Sequence, residues 1–351
     1  MNKIKFFVSL TVVILSLIAF NSCRKADPAG IPGAVPDNAY DKSEAAVMMT
    51  LSAIAYASEG GTVQMIKDTI EYNLNRTELA TKGEWQLVWG PGVNDINSNL
   101  VYVVKSTVEE QETYAMAVRG TSTLSIEDIL QDVQVFSMVP FKFGQVGDSV
   151  AQGAMDGLDY LLETEDQVTG LNLSEFLNRL DHKYGKKMFI TGHSQGGALA
   201  PMLAYWFITS SGLIDRYDLE IYTFAGPSVG NRSFKENFHN ALPDNAGFHM
   251  VANSLDAVPF FWARYDSLVT AHIPAHVPLL YRILLDAAKL ELKNKNITYV
   301  QLGKQIDIGC YTPKDTLGTI HPSDTLDWYN HWVLTEHKGN NYLRLLGAEP
   351  L

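Results

Sequence analysis

The sequence predicts an α/β fold, a mostly parallel central sheet flanked by helices, and three stretches carry that expectation. Lys187-Met188-Phe189-Ile190-Thr191 reads as a buried strand that runs through Gly192-His193-Ser194-Gln195-Gly196 into a packed helix over 198–206, ending near Gly212. Residues 99–106 and 112–118 are two β-rich runs separated by an acidic turn. Residues 221–224 and 248–253 read as later strands, each followed by a loop.

The other elements follow in chain order. Small and apolar residues, among them Ala45, Met49 and Ile54, recur at helical spacing over 42–57 and predict an N-terminal helix against the core. The run 84–89 reads as a strand ending at Gly90-Pro91-Gly92. Asn172-Leu173-Ser174-Glu175 caps a helix that presents Phe176, Leu177, Leu180 and Tyr184 on one face and stops at Gly185. Residues 133–144, apolar with Pro140 and Gly144, form either a lid or acyl-binding wall or a buried strand and turn. Phe260-Phe261-Trp262 either line a pocket or join the core. A helix over 278–293 either caps a site or packs its leucines on the domain.

Composition sets the organisation. The 351 residues are 46% hydrophobic and 19% charged, enough for a large core, and residues 41–351 read as one domain without internal repeats. Residues 1–22 differ: Lys3 and Lys5 precede an uncharged apolar run over 6–20, shorter than the roughly 20 residues a spanning helix needs. With Asn21-Ser22-Cys23 behind it, this segment resembles a bacterial lipoprotein signal peptide, although the usual leucine before the cysteine is missing. The resemblance implies cleavage before Cys23, lipidation of that residue, export and a membrane anchor; a plain secretory signal or an uncleaved anchor is the alternative. Residues 23–40, with Pro28, Gly30, Pro32, Gly33 and Pro36, read as a flexible tether.

Cleavage removes two lysines and no acid, so the formal charge moves from −12 to −14, which argues against nucleic acid as a partner. Only Cys310 then remains besides Cys23, leaving no internal disulfide. No metal-ligand spacing or glycine-rich phosphate loop occurs, so no cofactor is implied. Oligomeric state is not legible in the sequence.

The strand-to-helix junction has the Gly-x-Ser-x-Gly pattern of a nucleophile elbow, a turn so sharp that the residues two before and two after the serine must be small. A serine hydroxyl is a poor nucleophile unless a base accepts its proton and a third group orients that base. Ser194, Asp256 and His337 follow in an order that supplies both.

Further motifs make the chain similar to the class 3 lipases, the fungal-lipase-like branch of the α/β-hydrolases. Arg119-Gly120-Thr121 closes a strand, with Asp128 and Asp132 following and Ile129 where the family has tryptophan. Residues 225–231, Ala-Gly-Pro-Ser-Val-Gly-Asn, and Asp256-Ala257-Val258-Pro259 match the family's loops, residues 297–304 resemble its late hairpin, and His337 precedes Tyr342 at the family's spacing. Residues 150–154 match weakly, lacking the family's histidine. The resemblance spans roughly residues 45–345. It implies an α/β-hydrolase fold with Ser194, Asp256 and His337 as catalytic triad. The amide of Gln195, with the amide and hydroxyl of Thr121, then forms the oxyanion hole. His331 is the main rival to His337, with His272, His276 and His321 behind it. His193 is assigned to packing and loop support, and Arg119 to pairing with Asp128 or Asp132. The implied activity is that of a lipase or esterase of acylglycerols or related lipids; the alternatives are a carbohydrate or feruloyl esterase and a non-catalytic surface lipoprotein that keeps the scaffold.

Overall fold

The computed structural model describes residues 40–56, 61–93, 99–106, 112–120, 134–180, 185–267, 278–311 and 325–351, with the backbone alone over 325–330. Cys23 and the expected signal segment, as well as Thr121, Asp128, Asp132, Tyr184, His272, His276 and His321, lie outside the described residues.

Nearly continuous apolar runs along the central strands make a sheet buried on both faces, because successive side chains point to opposite sides. In strands β2 (Leu100–Ser106) and β3 (Thr113–Arg119), Val101, Val103, Met116 and Val118 enter one apolar cluster. Tyr102, Val104, Ala115 and Ala117 enter the other. The first cluster is covered by helices α3 (Gln152–Glu163) and α5 (Gln195–Ser210), the second by α1 (Lys42–Ile54) and α2 (Val63–Leu74), which follow from caps at Asp41 and Thr62. The result is three layers around two cores.

Among the described residues, the main sheet runs β1 (Trp85–Gly92), β2, β3, β6 (Lys186–His193), β7 (Tyr217–Phe224), β8 (Gly247–Ala252), β9 (Gln305–Asp307). The β1–β2 and β2–β3 pairs are antiparallel and all later pairs parallel. Arg119 pairs with His193 and His193 with Phe224, so β3, β6 and β7 end level and their following loops emerge at one edge, where sites collect in such sheets. Strands β4 (Met138–Pro140) and β5 (Ser149–Ala151) form a separate antiparallel pair.

The capping box expected at α4 (Leu173–Arg179) is present: Glu175 N donates to Asn172 Oδ1 at 2.9 Å and Asn172 N to Glu175 Oε2 at 3.1 Å. The helix ends before Leu180, which is extended, so that residue leaves the expected helical face. β1 continues through Gly90-Pro91-Gly92 instead of ending there, with irregular register after Leu87. The expected hairpin over 297–304 is absent. That stretch spends its polar groups on earlier loops, Val300 N donating to Gly230 O at 2.9 Å and Tyr299 Oη to Val135 O at 2.7 Å, and the chain enters β9 parallel to β8. Helices α6 (Arg232–Ala241), α7 (Leu279–Asn294), α8 (Thr325–His337) and α9 (Gly339–Leu346) follow in chain order.

Candidate active site

At the end of β6, Ser194 has φ 58° and ψ −128°, a left-handed conformation that costs a non-glycine residue strain. Its amide donates to Phe224 O at 2.9 Å, tying the turn to β7. The flanking glycines are a steric requirement: a Cβ on Gly192 would lie 2.2 Å from Gly196 O, and one on Gly196 would lie 2.3 Å from Val118 O. The serine is thereby fixed at the N-terminus of α5, whose first amide belongs to Gln195.

Two later segments converge on that hydroxyl. His337 Nε2 is 2.8 Å from Ser194 Oγ, and His337 Nδ1 is 2.9 Å from Asp256 Oδ2. Asp256 is fully buried on the turn after β8; Oδ1 accepts from Val258 N at 2.9 Å and Oδ2 from Tyr342 Oη at 2.7 Å. Burial alone would raise its carboxyl, but the charge and hydrogen bond of His337, with the bonds from Val258 and Tyr342, outweigh it and hold it below the ordinary carboxylate value. An ionised carboxylate only accepts, so Nδ1 carries the imidazole proton and the Nε2 lone pair faces the serine hydroxyl. His337 sits at the end of helix α8, where Lys338, with φ −59° and ψ 133°, leaves the helical conformation before α9.

The surrounding groups hold the His337 imidazole. His193 Nε2 lies 2.9 Å from His337 O, with the two rings 4.9 Å apart. Burial, helped by the charge of His337, pushes His193 down to about 3, so it is neutral and donates through Nε2. Asn253 Nδ2 reaches Glu336 Oε2 at 2.6 Å and Glu336 O at 2.9 Å, fastening the last turn of α8 to the acid loop. Tyr56 Oη donates to His193 O at 2.9 Å and accepts from Gly120 N at 3.2 Å, joining the ends of β6 and β3. Sequence reading missed Tyr56, Asn253 and Glu336, and no local pattern marks them; only Tyr342 left a trace, as a spacing.

His331, six residues before His337 on α8, is exposed and faces elsewhere, whereas His337 is buried. Arg119 is buried with its guanidinium 3.3 Å from Ala55 O; its expected acidic partners lie outside the described residues, as does Thr121. Phe260, Phe261 and Trp262 belong to the core rather than to a pocket wall. Over 134–144 the chain contains β4, which is half-buried to exposed and not the buried strand of that alternative, and Phe141 is stacked 5.2 Å from Tyr205. A cleft of about 680 Å³ lined by Phe136, Met138, Arg232 and Lys295 does not include the three residues around Ser194 Oγ.

A sequence model of the family described as Lipase (class 3) matches residues 115–265, which contain Ser194 and Asp256 and stop before His337. This segment is similar to class 3 lipases. A lipase of Caenorhabditis elegans is 28% identical over 226 residues, covering 64% of this chain and 56% of that protein. The chloroplastic phospholipase A1-Igamma1 of Arabidopsis thaliana is 29% identical over 194 residues, covering 47% of this chain and 35% of the relative. The chain thus spans about half, or less, of the curated relatives it matches. The crystal structure of M37 lipase superposes with a TM-score of 0.71 at 26% identity, covering 88% of this chain and 93% of that one. The fold is that of the α/β-hydrolases.

Proposed function

We propose that the protein is a serine hydrolase of carboxylic esters, a lipase or esterase acting on acylglycerols or related lipids through an acyl-enzyme on Ser194. The observation that carries this reading is the chain of contacts from Ser194 Oγ to His337 Nε2 at 2.8 Å and from His337 Nδ1 to Asp256 Oδ2 at 2.9 Å. In this reading Ser194 Oγ bonds to the ester carbonyl carbon as its proton passes to His337 Nε2, and Asp256 stabilises the imidazolium. The carbonyl electron pair moves onto oxygen, towards the Gln195 amide at the N-terminus of α5 and the proposed second donor, Thr121. Collapse expels the alcohol, which takes the proton from His337, and water repeats the cycle on the acyl-enzyme. The relatives' names, a lipase and a phospholipase A1, support a lipid ester as substrate.

Hydrolysis of p-nitrophenyl esters by wild type and Ser194→Ala, with fluorophosphonate labelling, tests the reading. Expected are turnover and an adduct on Ser194 in wild type and neither in the variant; equal rates would overturn the serine mechanism. Preference for feruloyl or acetylated-sugar esters over long acylglycerols would replace the lipid substrate with a carbohydrate-linked one. A folded wild type inert to the probe would mean a non-catalytic scaffold.

The lysine-led apolar run before Cys23 supports export and lipid anchoring through that cysteine. Incorporation of labelled palmitate into wild type and not into Cys23→Ser is the expected result, and equal labelling would overturn it.

A further inference from the structure

Helix α7 carries more apolar surface than its packing uses. Tyr281, Leu285 and Leu292 are buried against the domain. Leu279, Leu280, Ile283, Leu284 and Leu290 point outward, exposed by 74%, 52%, 55%, 42% and 58%. At ~100° per residue these five fall within one sector of about 140°, opposite the buried face, interrupted only near the C-terminal end by Glu291 and Asn294. A folded domain does not normally leave so contiguous an aliphatic face in water.

The flank between the two apolar faces is cationic. Arg282, Lys289 and Lys293 line it, with Asp286 beside them. Lys289 also pairs with Asp266, which ties α7 to the segment that follows Asp256. In a chain of formal charge −12 this strip stands against the prevailing sign, so an anionic surface repels most of the protein and attracts this side of α7. Among the described residues no helix is long and apolar enough to cross a membrane. An outward aliphatic sector with cations along its border is the arrangement of a helix that lies in a bilayer interface.

We propose that the outward face of α7 docks on an anionic phospholipid bilayer. Leu279, Leu280, Ile283, Leu284 and Leu290 enter the acyl boundary, and Arg282 and Lys293, beside the Lys289–Asp266 pair, meet the headgroup phosphates. The charge border selects this occupant over a second copy of the chain, since headgroup phosphates complement the cations whereas a second copy would present the same cationic border. The proposal goes beyond the hydrolase reading and rests on it only for the use of docking, which is to bring the enzyme to esters held in lipid.

The test uses full-length protein carrying Ser194→Ala, so that lipid is not consumed. It is mixed with phosphatidylcholine vesicles, with or without phosphatidylglycerol, that contain a photoactivatable diazirine acyl chain, and adducts are mapped by mass spectrometry. Expected are adducts within 279–294, about tenfold more with phosphatidylglycerol, and lost in Ile283→Ser/Leu284→Ser. With Ser194 restored, that double variant should hydrolyse dissolved p-nitrophenyl butyrate at the wild-type rate and a vesicle-embedded ester about tenfold more slowly. Adducts confined to residues before 41 would overturn the proposal, as would a sedimentation dimer that Ile283→Ser/Leu284→Ser dissociates. If Ser194→Ala leaves hydrolysis intact, the hydrolase reading fails while the adduct map still decides docking.

Discussion

The hydroxyl of Tyr342 donates to Oδ2 of Asp256 across 2.7 Å, the same oxygen that accepts the hydrogen bond from His337 Nδ1. Burial and the neighbouring carboxylate push that phenol well above its ordinary value, so it stays a donor, and it also accepts from Asn253 N at 3.0 Å. Tyr342 is therefore a positioning residue for the acid. Tyr342→Phe removes one of the bonds that hold Asp256 below the ordinary carboxylate value. A buried hydrogen bond to a charge contributes about 1.5–3 kcal/mol, so urea unfolding should show a loss of that size. The acid limb of the kcat/KM profile should move to higher pH, because a less stabilised carboxylate protonates sooner; a loss of stability with an unmoved profile would reduce Tyr342 to packing.

The two histidines of α8 separate cleanly by burial and contact. His337→Ala should lower kcat by roughly 10⁶-fold, the scale seen when a triad loses its working imidazole. His331→Ala, on the exposed face, should stay within about twofold of wild type in the same ester assay. The opposite ranking would move the base to His331.

Gly120 closes the strand opposite the elbow. A Cβ there would meet Gln195 Cβ at 2.2 Å and Oε1 at 2.7 Å, so Gly120→Ala must push the end of β3 and the start of α5, where Gln195 is the proposed oxyanion donor, apart. Loss of one oxyanion donor typically costs about 10²–10³-fold in kcat, and Gly120→Ala should approach that range with KM changed far less. Retained kcat would place the donor amide elsewhere than Gln195.

His193 makes stability depend on pH. In the folded protein it is held at about 3 against an ordinary 6.5, so unfolding takes up a proton between those values. Stability therefore falls as pH drops from 6.5 towards 3, and this group contributes no slope above 6.5. Asp256 acts lower in the range: its depressed carboxyl contributes stability above its unfolded value near 3.9, lost as pH falls further. Melting temperatures of wild type and His193→Gln should converge from pH 7 to pH 4, with the variant showing the flatter dependence. Parallel curves would mean that another group controls the slope.

Short-range sterics made much of this protein legible in the sequence. The elbow is decided within five residues, because Gly192 must pass Gly196 with no room for a side chain, and the capping box at Asn172 is decided within four. Apolar, β-rich runs likewise announced the central strands, and the order of Ser194, Asp256 and His337 is written in the chain. Tertiary structure alone decided what depends on distant partners. It brought His337 rather than His331 to a serine 143 positions earlier, set that base on a helix end, and placed Tyr56 between Gly120 and His193. It also turned one face of α7 outward. The reason is physical: a turn or cap is the minimum of a few adjacent torsions and contacts, whereas a triad is the meeting of segments whose positions depend on the packing of both cores.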